Sequence, residues 1–433
     1  MIKGGGAAVT AGADQTCPDC GAAMPRDPRF VVWCDACGWN LDPGGKDPAG
    51  GRLEALERAL STRYGQQLYA ELSAGGDTRP PRRSAVSLAA FALACLVHAL
   101  TVALLVAGLL LIVLGWETGI QPAVGAVLVV LAVALRPRPG RLGEDALLLP
   151  REQAPHLYGL LDRVADEHGT RRVDVVVVSE EFNACVFEYG YRRRRCLTIG
   201  LALWTVLTPQ QRVALLGHEF GHYVNGDPRS GLVIGTALDS LHHWVYFLTP
   251  HRPVGPIETA AAALMYVPRT LAVAMTVLLV RLTGRASQRA EYHADDLAAR
   301  TGSSEAAAAL FDRLALDDTV ESSLRRQSAL AATRRAGVDA KAIEERLWTQ
   351  IAQDVAAVPA RERERLRRVG EARGHAEDCT HPPSHLRARR MREGEQLPAR
   401  ITLDTPAAEA IDAELAPAAR RLAHTVVREL AHQ

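Results

Sequence analysis

The chain lacks a charge bias. Its 50 lysines and arginines are matched by 49 aspartates and glutamates, so no global field argues for nucleic acid as a partner. A second absence is local. From Ser84 to Trp116 there is no Asp, Glu, Lys or Arg, and Leu, Val and Ala dominate. That run exceeds the ~20 residues that cross a bilayer. A second uncharged run, Thr118 to Leu135, is just long enough to return. The competing reading for either run is a buried helix of a large soluble protein. A cleaved signal peptide is not expected, because a long polar and charged stretch precedes the first run. Arg79, Arg82 and Arg83 lie before the pair and Arg136, Arg138 and Arg141 after it, while the turn carries only Glu117. The positive-inside rule then puts both ends in the cytoplasm and the turn outside.

What is present begins with cysteine. Of eight, Cys17 and Cys20 sit in "CPDCG", and Cys34 and Cys37 in "WCDACGW". Each CxxC-Gly is a tight turn whose amides can point at thiolate sulfurs, and two such knuckles close a tetrahedral zinc site. The spacing, with thirteen residues between the pairs, resembles a zinc ribbon. Disulfides are disfavoured in a cytosolic compartment, and no βαβ pattern surrounds either pair. The sequence does not name the ribbon's partner. Cys95, Cys185, Cys196 and Cys379 read as unpaired and reduced.

The stretch from Pro209 to Val224 has helical apolar spacing, with Pro209 near the first turn and Asn225-Gly226 as a stop. Within it lies "HEFGHYVNGD". His218 and His222 project from one face, one turn apart, and both imidazoles can reach a single ion. Glu219 lies beside them, placed to take a proton from a water that the ion activates. A catalytic zinc wants a third protein ligand. "ASQRAEYHADDLAAR" offers Glu291 on a helical stretch, with Asp295 one turn later on the same face to accept the free N–H of a liganding histidine. His293 competes as a ligand, but at i+2 it points away from that face. The bland alternative for this segment is a solvated helix.

With these motifs on the page, the chain resembles the integral-membrane zinc metalloproteases of the HtpX and CAAX prenyl protease family. "THPPSHLR" resembles the family's late His-Pro-Pro…Arg element, which implies that His381 and Arg387 contact substrate or the reaction oxyanion; His385 is the nearby alternative to His381. "EEFNACVFEYG" resembles the family's edge strand, implying that Asn183 and Ala184 lie along the bound peptide. The stretch departs from the family in having Cys185 and Val186 where an aromatic usually follows. The N-terminal ribbon is a second departure. The resemblance runs over about residues 150 to 395 and implies peptide hydrolysis, with damaged membrane proteins as a substrate class.

Three apolar stretches, "VDVVVV" (173–178), 183–189 and "CLTIG" (196–200), predict a small sheet, and an exposed strand there would hold substrate by β-addition. Between His222 and Glu291 lie two apolar halves, Ser230 to Pro250 and Thr259 to Val280, interrupted by Asp239, His242, His243, Pro268 and Arg269. They are either a second transmembrane pair or helices lying at the membrane surface. Since His218, His222 and Glu291 must meet, the insertion crosses twice or not at all.

The expected fold is a mostly α membrane protein: transmembrane helices, an α+β zincin-type metalloprotease domain with a small sheet, and a small zinc ribbon. The ribbon takes 1–45, a linker with a helix near Leu53 to Leu72 takes 46–83, and the transmembrane pair takes 84–136. The protease domain takes 137–395 with the insertion at 230–283, and a helical tail without chemistry takes 396–433. The charged stretch 319–375 reads as solvated helices. The expected function is a multi-pass inner-membrane zinc endopeptidase in membrane protein quality control. It would use one catalytic and one structural zinc, contact membrane lipid, and keep its catalytic domain and N-terminus cytoplasmic. A membrane adaptor with a vestigial metal site, or a metallohydrolase of non-peptide substrates, are the alternatives.

Overall fold

The computed structural model describes residues 12–45, 52–79, 84–115, 119–138, 140–190, 192–225, 232–249, 255–333, 338–373 and 381–431. Arg82, Arg83, Glu117 and Cys379, each given a part above, lie outside them. Strands β1 (Gly12–Thr16) and β2 (Ala23–Arg26) form an antiparallel ladder at the N-terminus. Its small core holds Cys17, Met24 and Cys34, too little apolar surface to fold without a staple.

Helix α1 (Arg52–Ser73) follows, then α2 (Ala85–Leu114), opened by a Ser84–Ser87 capping box. Helix α3 (Ile120–Leu135) returns against it. Glycines set their crossing: a Cβ on Gly108 would sit 2.8 Å from the Gly125 carbonyl oxygen. The second run yields a helix of 16 residues that starts directly after Gly119 at φ 67°, close to the lower end of the ~17–25 residues that span a bilayer. Ala90, Ala94 and Val97 of α2 face a small cluster with α7 (Leu232–Phe247) and α8 (Pro256–Gly302). Most of the other apolar side chains on α2 and on the start of α8 are exposed, Leu114 at 78% and Ile257 at 84% among them. Both helices are long and apolar enough to cross a membrane.

The second half of the insertion is continuous with the Glu291 helix: α8 runs for 47 residues, with Pro268 inside it. Between Val280 and Glu291 only Gly284 could interrupt it; an interior glycine costs ~1 kcal/mol, and Thr283, Ser287, Gln288 and Ala290 around it are buried.

The main core lies farther along the chain. A four-stranded sheet runs in the order β3 (Leu147–Leu149), β4 (Val175–Ser179), β6 (Arg194–Gly200), β5 (Ala184–Tyr189). Only β4 and β6 are parallel, and β5 is an edge. Strand β3 has no counterpart in the sequence expectations; three residues are too short to register as a period. Helices α4 (Pro155–Glu167), α5 (Leu201–Val206) and α6 (Pro209–Asn225) pack on this sheet through Leu157, Leu161, Trp204 and Phe220.

Five helices complete the domain: α9 (Ser304–Leu314), α10 (Asp317–Thr333), α11 (Val338–Ala356), α12 (Ala360–Arg373) and α13 (Ser384–Glu393). The charged stretch is not simply solvated. Helix α11 buries Leu347, Ile351 and Val355 in the core, and α12 turns its arginines onto the ribbon. The tail is one helix, α14 (Thr405–Ala431), with Pro417 inside it and Ile411, Leu415 and Val427 buried.

Candidate metal centre and catalytic cleft

The site begins with two helices that approach unusually closely. On α6, a Cβ at Gly217 would meet Thr301 of α8 at 2.8 Å, and one at Gly221 would meet the Ala294 Cα at 2.9 Å. Small residues on both surfaces let the backbones meet, which carries Glu291 opposite the histidines. The i, i+4 spacing of the two glycines around "HEF" was a readable sign of this packing, and the sequence expectations passed over it.

The structure brings His218, His222 and Glu291 together, and His381 joins them. Their donor atoms all lie within 4.8 Å of one another. The His218 and His222 Nε2 atoms are 3.2 Å apart. Zinc–nitrogen bonds of 2.0–2.1 Å make the edge of a tetrahedron about 3.4 Å, so this pair suits a shared ion. Glu291 Oε2 lies 3.6 Å from His218 Nε2 and 3.4 Å from His381 Nε2. Two imidazoles, a carboxylate and a further imidazole are a zinc-type donor set. His385 lines a different cavity, and His293 lies outside the cluster.

Behind His218 stands a buried pair. Asp295 Oδ1 is 3.0 Å from His218 Nδ1. Arg387 donates to both Asp295 oxygens, from Nη2 at 2.7 Å and from Nε at 3.0 and 3.2 Å, and its guanidinium lies 4.2 Å over the Phe311 ring. Arg387 is 1% exposed. Its charge is engaged by Asp295, and it borders the cleft as well. Burial, with Arg387 beside it, pushes the His218 pKa down to about 3, which keeps the ring neutral, the form that binds metal. Burial alone would raise Asp295, but Arg387 and the His218 hydrogen bond outweigh it and hold the carboxyl below the usual range.

Glu219, 5% exposed, lines a cleft together with His218, His381, Asn183, Ala184 and Phe311. Its free space is about 10 Å³, room for roughly one water. Asn183 and Ala184 stand at the head of edge strand β5, where Asn183 Oδ1 accepts from the Ala184 amide at 2.8 Å. The register is unambiguous, with Ala184 opposite Ile199 and Cys185 opposite Thr198. Helix α9 walls the cleft with Leu310, Phe311 and Leu314; nothing in the apolar pattern of α9 marks those three as site residues.

In the ribbon, Cys17 and Cys37 sulfurs are 3.6 Å apart and Cys20 and Cys34 sulfurs 3.5 Å. A disulfide needs ~2.05 Å, whereas zinc–sulfur bonds of 2.3 Å give tetrahedral edges near 3.8 Å. Amides of Ala22, Cys37 and Trp39 approach the sulfurs of Cys20, Cys34 and Cys37. The four thiols fit one structural ion.

No curated protein and no solved structure matches the chain. The family model of peptidase family M48 matches residues 152–395. That span starts just ahead of α4, ends beyond α13, and takes in every residue of the His–Glu cluster, over more than half of the 433 residues. The chain therefore belongs to peptidase family M48, the metallopeptidases of the HtpX and CAAX prenyl protease kind.

Proposed function

We propose that the chain is a zinc endopeptidase held at the inner membrane, with its catalytic domain and ribbon cytoplasmic, cutting peptide segments in membrane protein quality control. The observation that carries this is the meeting of His218, His222, Glu291 and His381 with Glu219 in one cleft, at the head of an edge strand. A zinc ion held by His218, His222 and Glu291 would supply Lewis acidity to a water and to the scissile carbonyl. Glu219 takes the proton of the attacking water and returns it to the leaving amine. His381, whose Nε2 lies 3.4 Å from Glu291 Oε2, donates to the developing oxyanion. Asp295 and Arg387 are positioning residues: they fix the His218 tautomer so that Nε2 faces inward. Strand β5 offers backbone groups to an extended peptide, with Asn183 and Ala184 nearest the reacting bond.

The α2–α3 pair anchors the chain in lipid in this reading. Helix α7 lies at the cytoplasmic boundary: Trp244 Nε1 donates to the Leu135 carbonyl at the end of α3 at 3.1 Å, and His242 faces Glu57 of α1 at 3.2 Å. By the parity argument, α8 then does not cross, and its exposed apolar start dips into the bilayer.

The test is zinc stoichiometry on detergent-purified protein with cleavage of unfolded casein, for wild type, Glu219→Gln and Cys17→Ser/Cys20→Ser. Two zincs per chain, one in the cysteine variant, and cleavage abolished by Glu219→Gln are the expected results. Cleavage indifferent to Glu219→Gln would overturn the mechanism. One zinc in wild type, lost with the cysteines and without cleavage, would make the chain an adaptor.

A further inference from the structure

The ribbon's second knuckle is already occupied. Arg361 donates to the Trp33 carbonyl, Arg368 to the Asp35 carbonyl at 2.7 Å, and Arg365 to the Leu41 carbonyl at 2.8 Å. Trp33 and Asp35 flank Cys34 directly. The indole of Trp33, 1% exposed, has the Arg361 and Arg368 guanidiniums 5.0 and 5.2 Å from its ring centre. Arg373 closes the contact with two bonds of 2.6 Å to Asp42. All four arginines belong to α12. Carbonyls can be gathered this way only while the knuckle holds its turn, and in so small a core the thiolate–metal bonds set that turn.

Helix α12 is also the element next to the catalytic machinery in the chain. It ends at Arg373; the next described residue is His381, and α13 with Arg387 follows. Helices α12 and α13 pack against each other, and α13 packs on α9, whose Phe311 lies beneath Arg387.

We infer that the ribbon's partner is this chain's own α12, and that the metal-closed ribbon acts as a clamp that sets the position of His381 and Arg387. Releasing the ribbon's ion therefore loosens α12 and lowers turnover while the catalytic donors stay intact. The inference rests on the peptidase reading for its activity readout alone; the clamp itself is read from backbone protection.

The experiment uses the full chain in detergent, measuring hydrogen exchange over 360–373 and 381–393, zinc per chain, and casein cleavage. Arg368→Ala/Arg373→Ala leaves the thiols untouched. It should keep two zincs, raise exchange at least tenfold in both segments, and lower kcat severalfold with little change in KM. Cys17→Ser/Cys20→Ser should lose one zinc and show the same exchange pattern. A charge swap guards against simple misfolding: Asp42→Arg and Arg373→Asp each loosen α12, and the two together restore protection and turnover. Faster exchange confined to 360–373, with 381–393 and kcat as in wild type, would overturn the inference, as would unchanged exchange throughout. Should wild type fail to cleave casein, the peptidase reading falls, and the exchange results still decide the clamp.

Discussion

In the ribbon, four thiols converge from two turns that lie thirteen residues apart; in the catalytic cluster, four donors come from α6, α8 and the chain ahead of α13. The ribbon's donors are alike and its geometry is closed by its own backbone. The catalytic cluster mixes imidazole with carboxylate, keeps Glu219 beside it, and depends on helices meeting across the core. A structural ion needs only four donors and a turn. A hydrolytic ion needs a neighbouring base, an anchored tautomer and space for substrate. The difference in architecture is a difference in what each ion is for.

The largest effect that would break this contrast is at Glu219. Glu219→Gln should lower kcat by ~10²–10⁴, the usual worth of a general base, and leave zinc content at both clusters unchanged. Steady-state cleavage alongside metal analysis checks it; loss of a zinc would make Glu219 a ligand. Next comes Asp295→Asn. Removing the acceptor behind His218 should weaken catalytic zinc by ~10–100-fold and leave the ribbon's ion alone, as a chelator titration would resolve. Equal weakening of both ions would mean a general loss of structure.

Smaller effects come from glycine, for opposite reasons in the two regions. Gly38 sits at φ 78° with nothing near its missing Cβ, so Gly38→Ala should cost the ribbon ~1–2 kcal/mol through backbone strain alone. Gly221 has helical neighbours and no space, and Gly221→Ala should cost the catalytic domain ~1–3 kcal/mol by overpacking against Ala294. Denaturant melting followed by hydrogen exchange in each region separates the two. A Gly221→Ala protein of wild-type stability would refute the close α6–α8 contact.

What could be read from the sequence followed the same division. The ribbon, the His218–Glu219–His222 face and the pairing of Glu291 with Asp295 are periodic or local, so spacing alone revealed them. The meeting of those segments rested on the family resemblance, which pointed to His381 and left His385 as the alternative. Three things stayed hidden. The fusion of the insertion with the Glu291 helix had no punctuation to mark its absence. Strand β3 is three residues long and exists only because β4 pairs with it. The role of α12 looked like ordinary i, i+4 charge patterning, since Arg367 and Arg368 do pair with Glu364. Arg361, Arg365 and Arg368 also bond carbonyls of a distant segment, and backbone acceptors leave no trace in side-chain identity.

The smallest effect sharpens the contrast through pH. Residues 1–45 contain no histidine, whereas the catalytic domain half-buries His168 against α8, its Nε2 2.9 Å from the Thr301 hydroxyl. Thr301 is the residue that Gly217 makes room for. Burial, opposed only weakly by Glu167, pushes the His168 pKa down from 6.5 to about 4. As pH falls from 6.5, the unfolded chain takes up this proton first, so stability declines until the folded ring protonates near pH 4; above 6.5 the group contributes no pH dependence. His168→Gln should flatten that part of the curve in the catalytic domain and leave the ribbon's unchanged. The readout is the wild-type-minus-variant difference in melting temperature between pH 7 and 4, which cancels the carboxylates common to both proteins. A difference that stays constant across that range would mean the imidazole is hydrated in the folded state, and the packing of His168 on Thr301 beside Gly217 would lose its support.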